Sequence, residues 1–260
     1  MALDLQKISG LPISFDLKNL KLEFQGDFPF IKKSKRSLEE LRPYLKNLSQ
    51  RETKAKSGPD PVYYVWRYVH LENDEKKIKA ADLLFGLTLV PPGKIDDEFV
   101  KTAGHCHVLY PEVYEVLHGH AYFLIQSFDK ELKNIKSIYL IEAGPGEKII
   151  IPPDFGHNMI NVFSEPLLTA NWVSEKATHD YIPYKTNHGA SYYFLDNGNL
   201  IDIVKNPSYD SVPEIKKIRV KEHPEFGLIK GRSLYSLVNN LDKLRFLNYP
   251  EEFKGEWRNW

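Results

Sequence analysis

Cys106 is the only cysteine in 260 residues. An intrachain disulfide and a cysteine-rich zinc module are therefore both excluded. An excess of charge of one sign is missing too, because Lys+Arg and Asp+Glu each number 35. That balance lacks the electrostatic footprint of a non-specific nucleic-acid binder and of a polybasic membrane-surface protein. No apolar run approaches the roughly 18 residues that span a bilayer, and the start, MALDLQKISG, lacks the basic-then-apolar layout of a signal peptide. The expectation is a soluble cytoplasmic protein with neither nucleic acid nor membrane as partner.

What is present is a chain 42% hydrophobic and 13% aromatic, with 15 Tyr and 14 Phe. Tyrosine combines an apolar ring with a hydroxyl, which suits a β-rich core lined for a polar small molecule. From residue 61 short apolar and β-branched runs alternate with turn residues: Val62–His70, Leu83–Val90, Val113–Leu117, Ala121–Phe128, Ser137–Ile141, Lys148–Ile151, Met159–Phe163, Leu167–Val173, Ser191–Leu195 and Leu200–Val204. This spacing predicts an all-β barrel or sandwich over residues 61–205. Residues 1–60 read as an N-terminal extension packed on that core. Within it Ser37 and Glu40 form a capping box, Leu38, Leu41, Leu45 and Leu48 follow at helical spacing, and Pro43 interrupts them. Residues 206–260 read as a C-terminal helical extension, with Leu234, Leu237, Leu241 and Leu244 on one face.

Four of the nine histidines fall within sixteen residues: His105, His107, His118 and His120. On a strand, a period of two puts His105 and His107 on one face, and Glu112 can join them after a bend at Tyr110-Pro111. Two imidazoles and a carboxylate make a site for a divalent transition metal and leave positions open for substrate. A further ligand is offered by His157, which follows Gly146 and Pro152 and precedes Asn161. His118 and His120 straddle Gly119 and read as surface residues. Cys106, between the two histidines, should face away from them into the core.

These two clusters resemble the two cupin motifs: His105, His107, Glu112 and Gly119 match the first, and Gly146, Pro152, His157 and Asn161 the second. The resemblance implies a cupin fold, a double-stranded β-helix or jelly-roll barrel, here with helical N- and C-terminal extensions. The residues around the motifs narrow it further. Thr88, Pro92-Gly93-Lys94, Glu98-Phe99, Thr102-Ala103-Gly104-His105-Cys106-His107, Glu112-Val113-Tyr114 and His179-Asp180-Tyr181 resemble the signature of the cupin-type phosphoglucose isomerases. In that family the metal is held by the equivalents of His105, His107, Glu112 and His157. The sugar phosphate's phosphate sits against those of Thr88, Thr102 and Gly104. The resemblance thus implies a metal-dependent enzyme that interconverts glucose 6-phosphate and fructose 6-phosphate with Fe2+, Mn2+, Zn2+ or Ni2+, as a homodimer.

Aldose–ketose interconversion moves a proton or hydride between C1 and C2. Glu112 is the candidate base of an enediol route, and a metal-assisted hydride shift would leave it a ligand only. Tyr114 and His179 are expected to hold sugar hydroxyls, and Tyr181 to line the pocket. The chain departs from the family pattern in places. The early glycine of the first cupin motif is missing. Asp154 replaces a glycine of the second motif, the His107-to-Glu112 spacing is two residues shorter, and Val173, beside Trp172, stands where the family has a phosphate-touching tyrosine. A metal-dependent cupin dioxygenase, an isomerase of another phosphorylated sugar such as mannose 6-phosphate, and a non-catalytic sugar-binding cupin stay open as alternatives.

Overall fold

The computed structural model describes residues 2–46, 57–198 and 200–257. Two six-stranded sheets form its body. The first runs in spatial order Lys148–Ile151, Glu112–His118, Leu167–Ser174, Leu83–Val90, Tyr63–Arg67 and Lys32–Arg36. The second runs His179–Asp180, His105–His107, Gly156–Ile160, Ala121–Phe128, Ile135–Ala143 and Lys216–Ile218. Every pairing is antiparallel except that of Ile135–Ala143 with Lys216–Ile218. Between residues 105 and 180 the chain crosses repeatedly from one sheet to the other, which is the winding of a cupin jelly roll.

Alternation assigns the two faces of the first sheet. Tyr114, Val116, Ile149 and Ile151 point inward and join Phe123, Ile141 and Met159 in the core between the sheets. Val113, Leu117, Ile150, Leu168, Ala170, Trp172, Phe85, Leu87 and Leu89 point outward, yet they are buried as well. Their cover comes from the chain ends: Leu5, Leu11, Ile13 and Phe15 from the N-terminal segment, and Phe226, Leu234, Leu237, Leu244 and Phe246 from the C-terminal one. A sheet apolar on both faces needs such a cover, because an exposed apolar face of this size would invite association. The fit is specific. Phe85, Trp172 and Tyr235 pack mutually as a three-ring cluster with centroids 4.7, 5.1 and 6.1 Å apart, each pair adding about 0.5–1.5 kcal/mol beyond burial. Trp172 Nε1 donates to Leu234 O at 3.0 Å.

Several elements differ from the expected ones. Strand Gly156–Ile160 begins three residues before Met159, so His157 lies within a strand. The capping box at Ser37 forms, but the helix behind it is Leu38–Leu41, and Pro43 turns the chain into a 3-10 turn, Arg42–Tyr44; Leu48 lies outside the described residues. The segment around Leu234 to Leu244 is built from 3-10 turns, Tyr235–Asn239 and Leu241–Leu247. The N-terminal segment also carries a small sheet, Ala2–Asp4, Ile13–Asp16 and Lys21–Phe24, and gives the first large sheet its edge strand, Lys32–Arg36. Four of its five residues are basic and all but Arg36 are exposed, a composition that discourages edge-to-edge pairing.

Candidate metal centre and pocket

Register alone brings the histidines together. His105 pairs directly with His157, and His107 with His179, across neighbouring strands of the second sheet. The four imidazoles therefore occupy one patch of its inner face. Facing them from the first sheet are Glu112 and Tyr114, two residues apart on Glu112–His118. His105 Nε2 lies 2.9 Å from His107 Nε2. Glu112 Oε2 lies 3.2 Å from His157 Nε2, 3.6 Å from His107 Nδ1 and 3.9 Å from His105 Nε2. His107, Glu112 and His157 are each 2% exposed.

This arrangement fits a divalent cation. Three sites in it, His107 Nδ1, His157 Nδ1 and Glu112 Oε2, are buried without a hydrogen-bond partner, a costly state for polar atoms unless something else satisfies them. Burial, then the neighbouring imidazoles, hold His105 well below the ordinary imidazole range. Burial likewise takes His107 down to about 3. Burial raises the Glu112 carboxyl, but the neighbouring His107 and His157 rings outweigh it and hold it at about 2. At neutral pH Glu112 is therefore ionised and His105 and His107 are neutral, the protonation states a metal requires. Two overlapping sets lie close enough to share an ion, His105–Glu112–His157 and His105–His107–His179.

The cluster forms the floor of a pocket enclosing about 570 Å³, its solvent mouth included. All the expected site residues except His107 line it: Thr88, Thr102, Gly104, His105, Glu112, Tyr114, His157, His179 and Tyr181; His107 sits behind His105. Strand alternation places Gly86 and Thr88 inward on Leu83–Val90, and Tyr63, Val65 and Arg67 inward on their strand. Thr102 Oγ1 accepts from Met159 N at 3.0 Å, which leaves its hydroxyl proton for an anion. Gly104 has φ +81, and a Cβ there would lie 2.4 Å from the Tyr184 ring; only glycine fits.

Three polar residues of the site were not among those expected. Arg67 lines the pocket, and its Nη2 lies 3.1 Å from His179 Nε2. Burial, then the Arg67 charge, takes His179 down to about 4, so its Nε2 accepts and the Nδ1 carries the proton. Tyr63 extends its hydroxyl to within 3.5 Å of Ala103 N and accepts from Arg36 Nε at 3.3 Å. Asn171 donates to Glu112 Oε1 at 2.7 Å. The signal for Arg67 and Tyr63 was their alternation with Val65 in an aromatic strand; for Asn171, a lone amide in the run Leu167–Val173. Burial, then the Glu112 charge, pushes the Tyr114 hydroxyl well above the usual phenol range, so it remains a donor, 3.2 Å from His157 Nε2.

The remaining histidines stay apart. His118 is half-buried against Phe15 rather than on the surface, with centroids 5.8 Å apart, and His120 is exposed. Cys106 points into the core as expected. The departures are absorbed locally. Asp154 adopts φ +64 where the family has glycine, a left-handed conformation that aspartate tolerates, and its Oδ1 accepts from Leu109 N at 2.9 Å. Val173 is buried and takes no place in the pocket lining.

Residues 35–214 match the family described as glucose-6-phosphate isomerase (GPI). Glucose-6-phosphate isomerase of Thermococcus litoralis is 29% identical over 193 residues, 73% of this chain and 95% of its own. That of Thermococcus gammatolerans is 30% identical over 186 residues, 71% and 91%. The Pyrococcus abyssi enzyme is 29% identical over 195 residues, 74% and 96%. Among solved structures, an oxalate oxidase in complex with the substrate analogue glycolate aligns at 16% identity over 41% of this chain and 49% of its own, with a TM-score of 0.33, a likeness too partial to carry weight. The family match spans more than half of the chain and contains every pocket residue named above; the chain belongs to the glucose-6-phosphate isomerase family.

Proposed function

We propose that the pocket interconverts glucose 6-phosphate and fructose 6-phosphate around a divalent metal ion held by His105, His107, Glu112 and His157. The observation that carries this reading is a single cavity with a histidine–carboxylate cluster on its floor and hydroxyl and glycine amide donors beside it. A bound ion would supply Lewis acidity toward the oxygens at C1 and C2 of the sugar; Fe2+, Mn2+, Zn2+ or Ni2+ each suits imidazole and carboxylate donors.

The chain's own residues do the rest. Thr88, Thr102, the Gly104 amide and Tyr63 donate to the phosphate, with the Arg36 guanidinium behind Tyr63 adding positive charge. Fixing the phosphate sets which sugar carbons reach the cluster, and orientation of this kind accounts for a large part of the rate. His179, its tautomer set by Arg67, offers the Nδ1 proton to a sugar hydroxyl, and Tyr114 offers its hydroxyl proton. Tyr181 stacks on His179 at 6.2 Å and walls the pocket. Glu112 is the one ionised carboxylate in the cluster, and it takes the proton at C2 if the reaction follows the enediol route. The same reading places the enzyme in the cytoplasm as a homodimer, testable by sedimentation.

The test is His107→Ala. His107 is buried and would hold the ion without lining the pocket, so the variant is expected to remain folded by circular dichroism, to purify without metal and to lose isomerisation. A fully metal-loaded, fully active variant would contradict the assignment.

A further inference from the structure

We infer that Asn171 positions Glu112 for the metal, and that the glycine at position 86 exists to make room for it. The inference rests on the metal-centre reading above and adds a residue to it.

Glu112 has two carboxylate oxygens in different surroundings. Oε2 faces the imidazoles, and Oε1 accepts from Asn171 Nδ2 at 2.7 Å. The amide can donate to that oxygen in only one orientation, so its own Oδ1 must point the other way, toward the next strand. There the residue in direct register is Gly86. A Cβ at Gly86 would stand 2.8 Å from Asn171 Oδ1 and 3.1 Å from Trp66 O. Gly86 interrupts the run Leu-Leu-Phe-Gly-Leu-Thr-Leu-Val in the middle of a fully buried central strand, where glycine weakens the strand and usually marks a close approach. Tyr114, Asn171, Gly86 and Arg67 form one continuous cross-strand row beneath the cluster. One amide thus turns the carboxylate so that a single oxygen faces the ion, and one missing side chain keeps the amide in place. Groups that hold a ligand in this way typically change metal affinity by about 10–100-fold when removed.

The test titrates metal-free protein with Mn2+, following free Mn2+ by electron paramagnetic resonance, for five proteins: wild type, Asn171→Ala, Asn171→Leu, Gly86→Ala and the Gly86→Ala/Asn171→Ala double variant. Asn171→Leu keeps nearly the native size, so it separates the lost donor from a cavity should Asn171→Ala fold poorly. The expected result is Mn2+ binding about 10–100-fold weaker in both Asn171 variants and in Gly86→Ala. The double variant binds no more weakly than Asn171→Ala, because the new methyl then has no amide to displace. Wild-type Mn2+ affinity in a folded Asn171→Leu or in Gly86→Ala would overturn the inference and leave the metal centre standing. A wild-type protein that takes up no Mn2+ would remove the metal reading and this inference together.

Discussion

At the scale of single residues, Cys106 sits between His105 and His107, yet its side chain belongs to the core. Burial, then the charges of Asp180 and Asp154, pushes its thiol up to about 12. Native protein should therefore resist a thiol-specific disulfide reagent at pH 8, and react at once after denaturation; rapid labelling of the folded protein would show that the thiol is accessible. Thr88 carries the opposite expectation. Thr88→Val keeps shape and β-propensity and removes only the hydroxyl. It should raise KM for the sugar phosphate by about 10–100-fold, on the basis that a hydrogen bond to a charged group contributes about 1.5–3 kcal/mol, and leave Mn2+ affinity unchanged in steady-state kinetics and metal titration. Unchanged KM would place the phosphate elsewhere. His105, His107 and Glu112 were legible because a strand's period of two and a short spacing suffice to group them. Arg67, Tyr63 and Asn171 were not, because each reaches the site only through a register between strands far apart in the chain.

At the scale of elements, the strand runs were legible wherever both ends carried turn residues: Leu83–Val90, Ala121–Phe128 and Lys148–Ile151 have the expected limits. Boundaries moved where pairing partners extended a strand past its apolar run, as at Gly156–Ile160, whose first residues pair with His105 and Cys106. The C-terminal segment fell into 3-10 turns because it is held by the sheet beneath it more than by its own periodicity. Its anchor is specific: Glu115 Oε2 accepts from Leu234 N at 2.7 Å, and Glu115 Oε1 meets Lys148 Nζ at 2.7 Å, both residues buried. Removing one partner of a buried pair leaves the other uncompensated, at a cost of about 3–5 kcal/mol. Glu115→Ala should lose about that much in urea unfolding and expose the C-terminal segment to proteolysis; a loss below about 1 kcal/mol would show that the anchor is dispensable.

At the scale of the whole molecule, the fold puts chemistry where two sheets face each other. The second sheet brings the imidazoles and holds Thr102 through Met159, the first brings Glu112, Thr88 and Tyr63, and the chain ends close the outer face of the first. The cupin architecture was legible from two motifs in order. The double cover was not, because residues 2–24 and 224–247 lie far apart in the chain and come together only on the outer face of that sheet.

Metal content and coupled fructose 6-phosphate isomerisation, measured on one purified sample before and after EDTA, test the metal-dependent isomerase directly. The expected result is about one divalent ion per chain, glucose 6-phosphate formation that disappears with the ion, and its return when Mn2+ or Fe2+ is restored. Isomerisation undiminished in metal-free protein would overturn the metal's role.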